Sequence, residues 1–356
     1  MKHPFLVLIL CLCLLAAGCD SPQATAAPGS DIPWPTDGWQ TSTPENQGME
    51  SGRLAEMQEA IQAQNFGLHS LLVIRHGVII SETYYAGYEA ETRHELYSVT
   101  KSFIGTLVGI ALEQGLISGL DARVPDFYPG SIFENPDPRK DSMTVQDLLS
   151  MRSGLTWEEG DAAYMAMYNS QSWILYVLNL PMATEPGTEF VYCSGCSHVL
   201  SGILYQVAGQ DVRKFADENL LGALGITDYG WDVDRQGIHL GGWGMQLTPR
   251  DMAKLGYLYL HEGVWDGQQL VPREWIRQSV QPRVEVDEGT AYGFQWWVFP
   301  DFPGTEKGAY SALGHAGQTI FVLPELDLLV VTTAQVEGHE AIYRLIADYV
   351  IPAVKE

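Results

Sequence analysis

Three short groups of residues in this chain have types and spacings that suit nucleophilic chemistry. The first is Ser98-Val99-Thr100-Lys101, at the head of an apolar stretch. On a helix, residues three apart share a face, so Lys101 can reach the Ser98 hydroxyl. Serine attacks a carbonyl only when a base takes its proton. Lysine becomes such a base when burial and the positive end of a helix lower its pKa. The second group is Tyr192-Cys193-Ser194. If this segment is extended, Tyr192 and Ser194 face one pocket. A tyrosine beside an ammonium loses its proton more easily, so Lys101 and Tyr192 are expected to share one proton. The third group is His315-Ala316-Gly317, followed by Gln318. Gly317 has no Cβ, so substrate is expected to approach the backbone there. The N–H of Gln318, with that of Ser98, would then form an oxyanion hole.

These groups need elements to hold them. Leu54, Met57 and Ile61 have helical spacing in the segment Ser51 to Ala63. Two strands, Ser70 to Arg75 and Val78 to Tyr85, flank a His76-Gly77 turn and read as an antiparallel hairpin. A long apolar helix is expected from Ser98 to Glu113, stopped by Gly115. Roughly residues 125–245 mix helices with long loops, and Ser197 to Val207 and Pro249 to His261 are clear helical patterns. Tyr292 to Val298, Thr319 to Leu323 and Leu328 to Thr333 read as strands, and a last helix runs from His339 to about Tyr349. Strands thus come from both ends of the chain with helices between them, which predicts an α+β fold.

Each group alone is weak; their order and spacing make them strong. The chain resembles the serine β-lactamase and penicillin-binding-protein superfamily. More narrowly, it is similar to the class C β-lactamase-related hydrolases, which include esterases, D-amino-acid peptidases and aminohexanoate-dimer hydrolases. The resemblance covers nearly all of residues 43–350. It includes Leu148 to Leu155, Tyr192 to Gly202, Leu247 to Gly256 and Gly314 to Gln318. It implies a β-lactamase/transpeptidase-like fold, an antiparallel sheet flanked by helices with an inserted helical region. It also implies an acyl-enzyme on Ser98, with Lys101 and Tyr192 moving the proton. Two departures stand out. His315 occupies a position where many β-lactamases carry lysine, and Ser194 one where asparagine is usual. A histidine is mostly uncharged at neutral pH, so a substrate carboxylate is attracted less. Hydrolysis of an ester or amide other than a β-lactam is therefore expected. A β-lactamase or D-alanyl-D-alanine-type peptidase, and a non-catalytic envelope-binding lipoprotein, are the alternatives.

The N-terminus reads as a targeting segment. Lys2 and His3 precede an apolar run of thirteen residues, Phe5 to Ala17. A bilayer span needs roughly 20, so the run fits a signal peptide. Leu15-Ala16-Ala17-Gly18-Cys19 resembles a bacterial lipoprotein box, which implies lipidation of Cys19 and a membrane-anchored, extracytoplasmic protein of a bacterial cell envelope. Residues 1–18 are read as the signal, 19–42 as the lipidated cysteine and flexible tether, and 43–356 as the hydrolase domain. Of five cysteines, Cys193 and Cys196 remain after Cys11, Cys13 and Cys19 are set aside. They can pair in an oxidising compartment or stay as two small buried thiols. With His198 they do not make the four ligands of a structural zinc site, and no metal or cofactor is expected. The formal net charge of −24 repels phosphate backbones, so nucleic acid is not an expected partner. The expected partner is a small ester or amide substrate.

Overall fold

Strands at the two ends of the chain meet because both carry near-continuous apolar runs that must be covered on both faces. In the computed structural model, which describes residues 33–64, 66–130 and 135–355, eight strands form one sheet. They are β1 (Leu68–Arg75), β2 (Val78–Tyr84), β3 (Val284–Asp287), β4 (Thr290–Tyr292), β5 (Trp297–Phe299), β6 (Ala309–Gly314), β7 (Gln318–Leu323) and β8 (Leu328–Ala334). Their order is β2-β1-β8-β7-β6-β5-β4-β3, with every neighbouring pair antiparallel. The hairpin read from the sequence is present, and β1 also pairs with β8, Val73 opposite Val330. The fold is the expected α+β, β-lactamase/transpeptidase-like one, with helices on both faces of the sheet.

The period-2 geometry of the strands sorts these residues onto two faces. Leu71, Val73, Phe321 and Val330 pack with Leu54, Met57 and Ile61 of helix α1 (Ser51–Gln64) and with Ile342, Leu345 and Ile346 near the C-terminus. On the opposite face lie helix α2 (Thr100–Glu113) and a helix over Pro249–Leu260. Gly256 of the latter lies so close to β7 and β8 that a Cβ there would sit 2.6 Å from Ile320. Helix α2 is buried from Thr100 to Ala111. A helix apolar all round belongs in the middle of a fold, and α2 lies between the sheet and the helical middle of the chain. That middle contributes helix α3 (Asp161–Asn169) and helix α4 (Ser194–Ala208).

Four expectations change. The helix expected from Ser98 begins instead with a 3₁₀ turn, Tyr97–Val99, and becomes α-helical at Thr100. The expected strand Tyr292 to Val298 is two strands joined by a tight turn, in which the Gly293 N–H donates to the Trp296 carbonyl at 2.8 Å and Gln295 has φ +63°. Strand β6 has no counterpart among the expected strands, because its small residues lack the β-branched signature. Residues 33–42, read as the end of a tether, pack onto the domain instead. The Trp39 indole donates to the Arg250 carbonyl at 2.9 Å, and the Trp265 indole donates to Thr36 Oγ1 at 2.8 Å. Trp34 lies 5.5 Å from Tyr257, ring to ring. These hydrogen bonds and ring contacts tie the segment to the domain. The signal peptide and Cys19 lie outside the described residues.

Candidate active site

The turn carrying Ser98 is held from three sides. Tyr97, just before it, has φ +47°, a left-handed value rare for a residue with a side chain. The Glu95 carboxylate accepts from the Tyr97 N–H at 3.2 Å and from the Gly244 N–H at 2.9 Å. It thus joins the Ser98 turn to the loop Gly241-Gly242-Trp243-Gly244. Strand β6 closes the third side. A Cβ on Gly314 would lie 2.2 Å from the Leu96 carbonyl oxygen, so only glycine lets the strand come this near.

Lys101 projects from the first turn of α2 and is 1% exposed. Its Nζ is 2.8 Å from Ser98 Oγ, 2.8 Å from Ser194 Oγ and 2.7 Å from the Gly242 carbonyl. Burial brings its pKa from 10.5 down to about 7, against the upward pull of the Glu159 carboxylate. Tyr192 lies within hydrogen-bonding reach of Ser98, and Lys101 Nζ sits 4.9 Å from the centre of its ring. Trp297 stacks on Tyr192 at 5.6 Å and Tyr292 meets it edge-on at 6.1 Å. Burial pushes the Tyr192 hydroxyl well above the usual phenol range, more than the Ser98 hydrogen bond lowers it. The two groups were expected to share one proton, and burial shifts their pKa values in opposite directions, Lys101 down and Tyr192 up. Desolvation acts on both groups, making Lys101 the better proton acceptor and leaving Tyr192 protonated.

Ser194 is the first residue of α4 and is fully buried. It was expected to face substrate beside Tyr192. Because the chain leaves the extended conformation at Cys193 to enter the helix, strand alternation ends there, and Ser194 lies behind Lys101 instead. Its hydroxyl donates to Glu159, and its N–H donates to Glu159 Oε2 at 3.1 Å. The sulfurs of Cys193 and Cys196 are bonded to each other across the first turn of α4, and Cys193 caps the helix by accepting from the Cys196 N–H at 3.0 Å. Both ring nitrogens of His198 have other partners. Its Nε2 pairs with Asp234 at 3.0 Å and its Nδ1 accepts from the Gly241 N–H at 3.4 Å. His198 thereby fixes the loop that supplies the Gly242 carbonyl. Among the described residues, no group of three or more His, Cys, Asp or Glu side chains is arranged to hold a metal ion.

The third group needs correction. His315 lines the cleft, its ring 5.3 Å from that of Tyr97 and edge-on to it. Gly317 and Gln318 do not. Gly317 has φ +89°, and a Cβ there would strike Val336 and Ala334 on the core side rather than a substrate. Gln318 is buried; its side-chain amide donates to the Ala334 carbonyl at 2.8 Å and to the His315 carbonyl at 3.2 Å. Both residues shape the tight connection between β6 and β7. The strand end that faces Ser98 across the cleft is Leu313 to His315.

The cleft has a volume of about 780 Å³. Its walls include Tyr97, Tyr164, Tyr168, Trp243, Trp297 and Tyr343, and its carboxylates are Glu159, Asp161, Asp287 and Glu340. No lysine or arginine is among its lining residues as described. Sequence reasoning missed Glu159, Gly242 and Gly314. The paired glycines 241 and 242 were a usable signal, since a Cβ on either would lie within 2.6 Å of a backbone oxygen of α4. Glu159 carried no signal, because it meets Ser194 only through the tertiary fold.

A family model described as Beta-lactamase matches residues 54–353. A 6-aminohexanoate-dimer hydrolase of Paenarthrobacter ureafaciens is 27% identical over 283 residues, spanning 74% of this chain and 71% of that protein. Among solved structures, EstCE1, a hydrolase with promiscuous acyltransferase activity, superposes with a TM-score of 0.70 at 20% identity, covering 86% of this chain and 99% of the other. The octameric penicillin-binding protein homologue from Pyrococcus abyssi superposes with a TM-score of 0.67 at 18% identity, covering 86% and 78%.

Proposed function

The chain belongs to the β-lactamase family and is a serine hydrolase, and from that premise we propose that it cleaves an ester or amide through an acyl-enzyme on Ser98. The observation that carries this reading is the 2.8 Å contact between Ser98 Oγ and a buried lysine whose pKa is brought down to about 7. Near neutral pH a large fraction of such a lysine has a free electron pair. Lys101 takes the Ser98 proton as Oγ bonds to the acyl carbon. Tyr192, protonated and beside Ser98, helps deliver a proton to the leaving group. The Ser98 N–H and the backbone N–H of His315 are proposed as the oxyanion donors, since the strand end at His315 lines the cleft.

The charge of the cleft bears on substrate. Four carboxylates and no lysine or arginine among its lining residues disfavour substrates that carry a carboxylate. Penicillins and D-alanyl-D-alanine peptides carry one. A neutral or amine-bearing ester or amide suits this cleft better; the 6-aminohexanoate-dimer hydrolase relative is named for an amide that carries an amine, although such a dimer carries a carboxylate as well. We also propose that Cys19 is lipidated and holds the enzyme on the outer side of a bacterial membrane. The support is the run Phe5 to Ala17 and the box ending at Cys19; a Cys19→Ala variant recovered in the soluble fraction would agree, and one still membrane-bound would refute it.

Intact-mass spectrometry of residues 20–356 tests the catalytic reading. A fluorophosphonate adduct on wild type, absent from Ser98→Ala, is expected. Penicillin should label far more slowly. No adduct on wild type, or an unchanged adduct on Ser98→Ala, would overturn the assignment.

A further inference from the structure

A neutral lysine has two N–H hydrogens and one electron pair. Lys101 Nζ has three polar contacts: Ser98 Oγ, Ser194 Oγ and the Gly242 carbonyl. The carbonyl can only accept, so it takes one hydrogen. The other hydrogen and the electron pair fall to two serine hydroxyls that are chemically alike and equally distant, at 2.8 Å. Proton transfer from the nucleophile requires the pair to face Ser98. If it faced Ser194 instead, Ser98 would be accepting a hydrogen from the base that should remove its own.

Glu159 breaks this symmetry. The Ser194 hydroxyl has one hydrogen and donates it to Glu159 Oε1. Towards Lys101, Ser194 can then only accept. We propose that Glu159 is a positioning residue for the general base, holding the Ser194 hydroxyl as an acceptor so that the electron pair of Lys101 is turned to Ser98. The Ser98 proton then passes to Nζ as Oγ bonds to the acyl carbon, and as the leaving atom's bond breaks Tyr192 gives it a proton and is reprotonated by the ammonium. Glu159 itself is well anchored. Oε1 also accepts from the Tyr164 hydroxyl, and Oε2 accepts from the Ser194 N–H at 3.1 Å and from the Trp157 indole at 2.6 Å. It touches no reacting atom. This inference rests on Ser98 and Lys101 being nucleophile and base.

The four donors to Glu159 make Glu159→Gln a specific test. The donors to Oε2 are a backbone N–H and an indole N–H, which cannot reverse. The amide oxygen of the glutamine must therefore stay there. Its NH₂ then faces the Ser194 and Tyr164 hydroxyls, which can rotate and accept. Ser194 would next turn its hydrogen to Lys101 and compete for the electron pair. The groups facing Lys101 are the Tyr192 ring, the two serines, the Gly242 carbonyl and, at longer range, the Glu159 charge. Removing that charge lowers the lysine's proton affinity.

The experiment is the second-order rate of fluorophosphonate labelling, followed by intact mass from pH 5 to 9, for Glu159→Gln, Ser194→Ala and the double variant. General-base catalysis supplies roughly 10²–10⁴ in rate, so Glu159→Gln is expected to lose at least about tenfold at its plateau. Its acid limb should lie at lower pH than that of wild type. In the Ser194→Ala background no hydroxyl remains to reverse, and Glu159→Gln should change the plateau by less than about twofold. A plateau equal to wild type, or the same loss in both backgrounds, overturns the proposal. Persistent labelling of Ser98→Ala would instead overturn the underlying catalytic reading. Matching unfolding midpoints for wild type and Glu159→Gln separate a relay effect from a folding defect; a loss that follows destabilisation and leaves the acid limb unmoved also overturns it.

Discussion

Replacing Lys101 with methionine should destroy activity and change the stability of the fold with a pH dependence that identifies the cause. Lys101 is fully enclosed, and burial takes its pKa from 10.5 to about 7. At roughly 1.4 kcal/mol per pH unit, keeping this ammonium in the folded state costs about 5 kcal/mol below pH 6. The sign follows from linkage: between the folded and unfolded values the unfolded chain binds more protons, so stability rises with pH over about 7 to 10.5. By pH 9 the residual cost is about 2 kcal/mol. Methionine has nearly the same length and no charge, so the cost vanishes in Lys101→Met. It also leaves Ser98, Ser194 and the Gly242 carbonyl without this partner, a loss that is largely independent of pH. The difference in unfolding free energy, variant minus wild type, should therefore fall by about 3 kcal/mol between pH 6 and pH 9, whatever its absolute offset. Urea titrations of the two proteins at each pH measure it, since other titrating groups cancel in the difference. A difference flat with pH, or one that grows, would refute the claim that Lys101 is buried as a near-neutral amine.

Three further outcomes are expected. The acylation rate of wild type should rise with pH and level off above an acid limb near 7, set by Lys101 losing its proton; a pH-rate profile of fluorophosphonate labelling reads it, and a limb near 10 would contradict the assignment. Thiol titration of denatured but unreduced residues 20–356 should find no free thiol, because Cys193 and Cys196 are bonded to each other. Reduction of so short a loop should cost about 2 kcal/mol in unfolding free energy by the chain-entropy relation. Gly314→Ala places a Cβ against the Leu96 carbonyl, and should destabilise by about 1–3 kcal/mol while also slowing acylation, because β6 must withdraw from the nucleophile turn; unchanged stability in urea would show that the strand does not press on that turn.

The strands β1, β2, β7 and β8 were legible in the sequence because their apolar runs are long and bounded by turn residues. Strand β6 was not, since Ala309, Ser311 and Ala312 gain their burial from neighbours rather than from their own bulk. Ser98 and Lys101 were legible because one helical turn relates them. Gly317 and Gln318 were misplaced because a three-residue turn between β6 and β7 rotates them to the core side. A motif read as a straight strand end carries no record of that rotation.

What the sequence by itself determined is the local chemistry: a serine and a lysine one turn apart, an apolar helix to bury them, and a tyrosine that follows far along the chain. Tertiary structure alone decided which proton each group holds. The pKa of Lys101 is lowered because α2 is buried, and that of Tyr192 is raised because its ring is buried against Tyr292 and Trp297. The three partners of Lys101 come from the 3₁₀ turn before α2, from α4 and from the glycine loop. Desolvation and hydrogen-bond direction depend on everything that surrounds a group, and in this chain those surroundings are contributed by residues up to 141 positions away.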